Sequence, residues 1–183
     1  DFNLFFLLLA VAGNETTRNA ISHAMLALIE HPDQRQLLLD DPALLDSAIE
    51  EFLRWASPVM HFRRTATADT ELHGQPIAAG DRVVIWHISA HRDEDVSPDP
   101  FTFDIARTAD KGGAPVAFGG GGAHYCLGAN LARAEMKVML QELLARIPDM
   151  ELDGSVIKQV HAVSGQYDLI AFVEAPDLQS LGN

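Results

Sequence analysis

Apolar residues run without interruption from Leu4 to Gly13, LFFLLLAVAG, and the mixed stretch that follows to Glu30 contains no proline. With Gly13 as its one breaker, the segment from Phe2 to Glu30 predicts a helix. His31-Pro32 stops it, because the residue before a proline is pushed out of the helical region. A second helix is expected over roughly Asp33 to Leu39, broken by Asp40-Asp41-Pro42. From Leu44 to Trp55 the apolar positions Leu45, Ala48, Ile49, Phe52 and Leu53 fall on one face of a third helix that ends before Ser57-Pro58. The period then changes to that of short strands, over Phe62 to Ala66, Thr70 to Leu72 and Arg82 to Trp86, with turns at His73-Gly74 and Ala79-Gly80. A charged, proline-containing segment runs from His91 to Ala114. Leu127 to Ile147 returns to helical spacing, with Leu131, Met139, Leu143, Leu144 and Ile147 among its apolar positions and Pro148 as its stop. The remainder reads as an extended tail, and no internal repeat is present.

The first apolar run is too short for a bilayer span, which takes about 20 apolar residues. It ends in Ala10-Val11-Ala12, which resembles a signal-peptidase site, but Asp1 stands where a basic leader region should be. One buried helix is the expectation, and a helix starting at the first residues suggests that the chain begins inside an element, as a fragment would. At 183 residues a single folded unit with a sizeable core is expected. The net charge of -13 argues against nucleic-acid backbones and anionic membranes as general partners. One cysteine allows no intrachain disulfide, which is compatible with a cytoplasmic protein.

That cysteine sits in FGGGGAHYCLG, Phe118 to Gly128. A phosphate loop would need Gly-Lys-Ser/Thr after the glycines, and Ala123-His124-Tyr125 stands there instead. A dinucleotide fingerprint would need glycine at the sixth place, which is Tyr125. Zinc is poorly supported, since His87 and His91 follow a strand-like Val83 to Trp86 and read as ordinary histidines. A lone cysteine is most often a buried small hydrophobe. Cys126, however, lies just before a helix, whose N-terminal amides stabilise a thiolate, and behind glycines that permit close backbone approach. A thiolate so held suits an axial haem ligand.

Phe118, Gly120, Gly122, His124, Cys126 and Gly128 together resemble the signature of the cytochrome P450 haem-thiolate monooxygenases. Phe118 lies one residue further from the cysteine than the usual pattern has it. The same lengthened loop marks an actinobacterial subgroup that oxidises methyl-branched lipids and sterol side chains, and AGNETTRNA and RWASPV look most like that subgroup. The resemblance implies a mainly α fold with small β-sheets, the C-terminal portion of the cytochrome P450 fold, with the N-terminal half absent from the chain. It implies haem b, with Cys126 as the ligand to its iron. It also implies hydroxylation of an unactivated C–H bond in a lipophilic substrate, using O2 and electrons from a ferredoxin and its NAD(P)H-dependent reductase.

Two further motifs bear on this. Glu51 and Arg54 are opposite charges three apart on one helix face, by themselves no more than a surface ion pair. The resemblance makes them a structural charge network, joined by Arg107 of Phe103-Asp104-Ile105-Ala106-Arg107. Ala12-Gly13-Asn14-Glu15-Thr16-Thr17 is by composition a polar interruption in an apolar helix, in which Thr16 can bond back to a preceding carbonyl. The resemblance makes it the groove for bound dioxygen, with Glu15 and Thr16 supporting proton delivery. His124 and Arg64 are implied ligands of the haem propionates, Arg63 being the rival of Arg64. Ala12, Val59, Met60, His61, Phe62 and Tyr167 are candidates for the substrate pocket, with ordinary core packing as the alternative. Lys111, Arg133 and Lys137 are candidates for docking an acidic ferredoxin. Two other classes stay open: a non-catalytic haem-thiolate sensor, and a glycine-loop nucleotide-binding protein.

Overall fold

Residues 1–107 and 115–152 are described by the computed structural model, together with the backbone of 157–162 and 169–173. Helix α1 spans Phe2–Glu30, α2 Pro32–Asp40, α3 Leu45–Ala56, the short α4 His87–Ala90 and α5 Ala129–Arg146. Pro32 opens α2 at a position where its missing N–H costs nothing. Strand β1 (His61–Thr65) pairs antiparallel with β4 (Arg82–Trp86), and β2 (Thr70–Leu72) pairs antiparallel with β3 (Gln75–Ile77). The β2–β3 connection puts His73 and Gly74 both at positive φ, the sign that a two-residue type I′ hairpin loop requires. β3 lies outside the predicted strands because Pro76 masks its pattern. Residues 1–148 and 149–183 form two compact units. In the second, β5 (Ile157–Ala162) and β6 (Leu169–Val173) make an antiparallel hairpin with an irregularity between Ile157 and Gln159.

The mainly helical architecture with small sheets agrees with the pattern of the chain, but burial differs from it at both long helices. The first run of α1 is helical and exposed, with Phe2 73 % and Leu8 62 % accessible, where a buried helix was expected. Its buried positions begin at Thr17 and continue through Ala20, Ala24, Ala27 and Leu28, where α2, α3 and α5 reach it. On α5, the buried stripe is Ala129, Met136, Leu140 and Leu144, while Leu131, Met139 and Ile147 are exposed. Apolar positions surround much of this helix, so spacing alone could not say which stripe meets the core.

α3 carries the core of the first unit. Leu45, Ala48, Ile49, Phe52 and Leu53 are all buried, as their spacing predicts. Phe52 and Trp55 each lie against Phe103, at 5.7 Å and 5.4 Å between ring centroids, and His31 completes the cluster. The same helix presents Glu51 and Arg54, 2 % and 3 % exposed. Arg54 Nε and Nη2 donate to the two Glu51 oxygens at 2.6 Å and 2.7 Å. Its remaining N–H groups donate to the carbonyls of His91, Pro100 and Thr102, so every guanidinium donor is used. Arg107 brings Nε within 3.3 Å of Glu51 Oε2, a charge contact without hydrogen-bond geometry. Its Nη atoms donate to the carbonyls of Pro98, Asp99 and Thr102. The Asp104 N–H donates to Glu51 Oε1 at 2.9 Å, so the carboxylate organises the irregular segment as well as the helix.

Ser57 closes α3 in the left-handed region at φ 44, bonded through its hydroxyl to the Arg54 carbonyl and to His91 Nδ1 at 2.7 Å. Arg92 caps the same helix end by donating to the carbonyls of Arg54 and Trp55. His87 and His91, expected after a strand, occupy one helical turn, because the strand ends at Trp86 and α4 begins at once. Both are buried, and neither His87 Nδ1 nor His91 Nε2 has a hydrogen-bond partner among the described residues. Burial, with the neighbouring His87, Arg54 and Arg92 adding to it, pushes the His91 pKa down to about 4.

Two consequences are measurable. Replacing Arg54 by Ala strands the Glu51 carboxylate and should cost about 3–5 kcal/mol in urea unfolding, whereas an exposed pair such as Glu142–Arg146 should cost little. His91 takes up a proton in the unfolded chain near its ordinary pKa and in the folded chain near 4, so its contribution is complete above the former value. Lowering the pH between those two values should remove about 3 kcal/mol of stability, seen as a falling urea midpoint that His91→Gln largely flattens.

Candidate functional site

The cysteine loop is built between a short 3-10 turn at Val116–Phe118 and the start of α5. The Cys126 N–H donates to the Phe118 carbonyl at 3.0 Å, closing the loop on itself. Gly119, Gly121 and Gly122 take positive φ values of 97°, 101° and 76°, which side chains rarely adopt, whereas Gly120 does not. Of the three glycines named from the sequence, two fall in this run, and of these Gly122 is conformationally required and Gly120 is not. A Cβ at any of positions 119–122 would meet nothing within 4 Å, so the outer side of the loop is open. Gly128 is the N-cap of α5, and a Cβ there would lie 3.9 Å from Cys126 Sγ. The thiol itself is exposed, with Leu127 beside it 84 % accessible.

Arg133, one turn into α5, holds this loop from behind. Its guanidinium carbon lies 4.5 Å from the centroid of the Phe118 ring, and Nη1 is 3.5 Å from the Tyr125 hydroxyl. Nε and Nη2 bind both oxygens of Glu50 on α3, at 2.5 Å and 3.0 Å. One turn further along α5 and one turn earlier on α3, Lys137 Nζ meets Asp46 at 2.6 Å. Arg133 and Lys137, put forward from the sequence as free cations for a docking partner, are therefore already paired with acids of α3. The signal for this was in the chain, as acids four apart at Asp46 and Glu50 and bases four apart at Arg133 and Lys137. Which helix would answer which was not, because the partners are 83 residues apart.

On α1, Thr16 Oγ1 donates to the Ala12 carbonyl at 2.7 Å, the back-bond its position allows. Glu15 is held by Arg18 at 2.5 Å, both side chains partly exposed. The helix runs through Gly13 unbroken. A cleft of about 720 Å³ opens between α1 and α5, lined by Gly13, Thr17 and Ile21 on one side and Leu131, Val138 and Met139 on the other. Neither Glu15, Thr16 nor Cys126 lines it, so this space is not where the nominated residues meet.

Arg64 and His124 are both exposed, and Arg64 Nη1 donates to the Arg63 carbonyl while its guanidinium lies 5.4 Å from the Phe62 ring. Ala12, Met60, His61 and Phe62 are likewise exposed and Val59 is half-buried. Tyr167 and Lys111 lie outside the described residues. The donor set fits a haem: an unhindered thiol ahead of a helix start, an open glycine backbone on one side, and exposed arginine and histidine side chains suited to carboxylates. Among the described residues no group of three or more His, Cys, Asp or Glu could hold a metal ion by itself.

Residues 3–147 match the family model for cytochrome P450. The chain is 54 % identical over 147 residues to the methyl-branched lipid omega-hydroxylase of Mycobacterium tuberculosis, covering 80 % of this chain and 34 % of that protein. It is 47 % identical over 151 residues to the steroid C26-monooxygenase of the same organism, covering 82 % and 34 %. Among solved structures, it superposes on CYP109E1 from Bacillus megaterium in complex with testosterone with a TM-score of 0.80 at 41 % identity, over 90 % of this chain and 44 % of that one. It is similar also to the Mycobacterium marinum cytochrome P450 CYP268A2 in complex with pseudoionone, with a TM-score of 0.77 at 45 % identity over 92 % and 39 % of the two chains. The chain thus spans about a third of the length of the curated relatives it matches. With the family model covering most of its length and the open cysteine loop standing ahead of α5, the chain belongs to the cytochrome P450 family, whose cofactor is a thiolate-ligated haem.

Proposed function

We propose that this chain forms the thiolate-bearing C-terminal part of one catalytic unit, a haem-dependent monooxygenase that hydroxylates an unactivated C–H bond of a lipophilic substrate. A methyl-branched lipid or a sterol side chain is the substrate class, supported by what the two mycobacterial relatives are named for. The observation that carries the reading is the exposed Cys126 thiol, set by three positive-φ glycines at the start of α5. Haem bound there supplies dioxygen activation, to which thiolate ligation contributes electron density.

The chain's own residues then have distinct tasks. Cys126 is the ligand, with the helix start favouring its thiolate form. Arg64 and His124 bind carboxylate groups at the edge of the cofactor. Thr16 keeps its hydroxyl hydrogen on the Ala12 carbonyl and so leaves its oxygen able to accept a hydrogen bond. Giving up that back-bond lets it pass a proton on. Glu15 is restrained by Arg18 and must leave that pair to take part. Val59, Met60 and Phe62, on and before β1, supply apolar surface for the substrate, alongside Ala12.

Electrons come from a ferredoxin and its NAD(P)H-dependent reductase in this reading. With Arg133 and Lys137 engaged by Glu50 and Asp46, an acidic partner must draw on other cations or compete for these. No helix among the described residues is long and apolar enough to cross a membrane, and a cytoplasmic site of action is part of the proposal.

The test is the ferrous carbon monoxide spectrum of the full-length protein beside its Cys126→Ser variant. A red-shifted Soret band lost in the variant is expected. A folded protein without that band would place the loop in other chemistry. In turnover with a bound lipid, Thr16→Ala should consume reductant at a comparable rate while most of it leaves as peroxide rather than product. Undiminished product per reductant in that variant would remove Thr16 from proton delivery.

A further inference from the structure

Phe118 and Tyr125 stand at the two ends of the glycine loop, whose backbone is tied by the Cys126 N–H to the Phe118 carbonyl and the Tyr125 N–H to the Gly122 carbonyl, but the residues between them offer the two rings nothing to pack on. Gly119, Gly120, Gly121 and Gly122 carry no side chain, and three of them sit where the backbone has little preference of its own once a side chain is absent. The rings are 6.5 Å apart and tilted, near the outer end of the range over which aromatic pairs attract, so each holds the other only weakly. One group touches both. The Arg133 guanidinium stacks on Phe118 and reaches the Tyr125 hydroxyl, while its other edge grips both oxygens of Glu50.

We propose that Arg133 is a positioning residue for the Cys126 thiolate, holding Phe118 and Tyr125 at either end of the cysteine loop while Glu50 anchors it to α3. The planar fork of arginine is what the arrangement needs, since a bidentate carboxylate contact along one edge leaves the flat face free to stack. The Lys137–Asp46 pair one turn on is a second, exposed polar contact between α5 and α3. The chain path is short. Phe118 accepts the Cys126 N–H through its carbonyl, and Tyr125 is the cysteine's neighbour, so both residues connect directly to the cysteine backbone. The Arg133–Glu50 pair also brings a cation against the residues that flank the cysteine, with an anion behind it, and the two charges act with opposite sign on an electron added at the haem.

This inference rests on Cys126 being the haem ligand. The test compares reduction potentials and ferrous carbon monoxide spectra of the haem-loaded protein as wild type, Arg133→Gln, Glu50→Gln and the double variant. Removing the cation disfavours an added electron, so Arg133→Gln should lower the potential; removing the anion should raise it; and the double variant should return most of the way. Arg133→Lys keeps the charge without the fork or the stacking plane. It should hold its potential closer to wild type than Arg133→Gln does, yet lose part of the thiolate-ligated Soret band. Single variants that shift in the same direction, or that lower the urea midpoint with potential and band unchanged, would make Arg133 a fold residue and overturn the proposal. A wild-type protein without a thiolate-ligated band would instead overturn the assignment of Cys126.

Discussion

A single carboxylate, Glu51, holds together parts of the first unit that the helices alone would leave separate. It is 2 % exposed and accepts from Arg54, from the Asp104 backbone and, as a charge contact, faces Arg107. A buried charge of this kind is tolerated when it is fully paired and hydrogen-bonded, and it is costly once a partner is missing. The all-or-none character follows from Arg54, whose donors also secure the carbonyls of His91, Pro100 and Thr102. The irregular segment from His91 to Arg107 has little hydrogen-bonded regularity of its own, and these contacts supply it with partners.

α3 is thereby a two-sided element. Its apolar face packs Phe52 and Leu53 into the core, its acidic edge at Asp46 and Glu50 receives α5, and its last turn carries the Glu51 cluster and the Ser57 cap. The cysteine loop hangs from α5 and, through Arg133, from α3 as well. Loop, helix start and charge cluster are linked by short covalent and polar steps. The loop can stay open towards a cofactor on its outer side because it is tied down on its inner one.

The exposed apolar surface has a matching logic. The first half of α1 shows Phe2, Leu4, Phe6, Leu7 and Leu8 to solvent, a concentration of large exposed apolar side chains. The second half is buried where its small residues, Ala20, Ala24 and Ala27, allow close approach of its neighbours.

Much of this was legible in the chain alone, and for identifiable reasons. Helix extents followed from proline placement and apolar spacing, the turn at His73-Gly74 from turn chemistry, and the cysteine loop from residue types that no phosphate or dinucleotide site would use. Glu51 and Arg54 were readable as neighbours because a helix sets positions three apart on one face. These are local properties, decided by dihedral preferences and short-range contacts. The tertiary structure decided the rest. It chose the Met136–Leu140–Leu144 stripe of α5 over the Leu131–Met139 stripe, gave Arg133 to Glu50 instead of to solvent, and placed the positive-φ demand on Gly119, Gly121 and Gly122. It also buried His91 among cations, so that it stays neutral near pH 7. Pairings across 83 residues and the desolvation of a side chain depend on which surfaces meet in space, and sequence spacing carries no record of that.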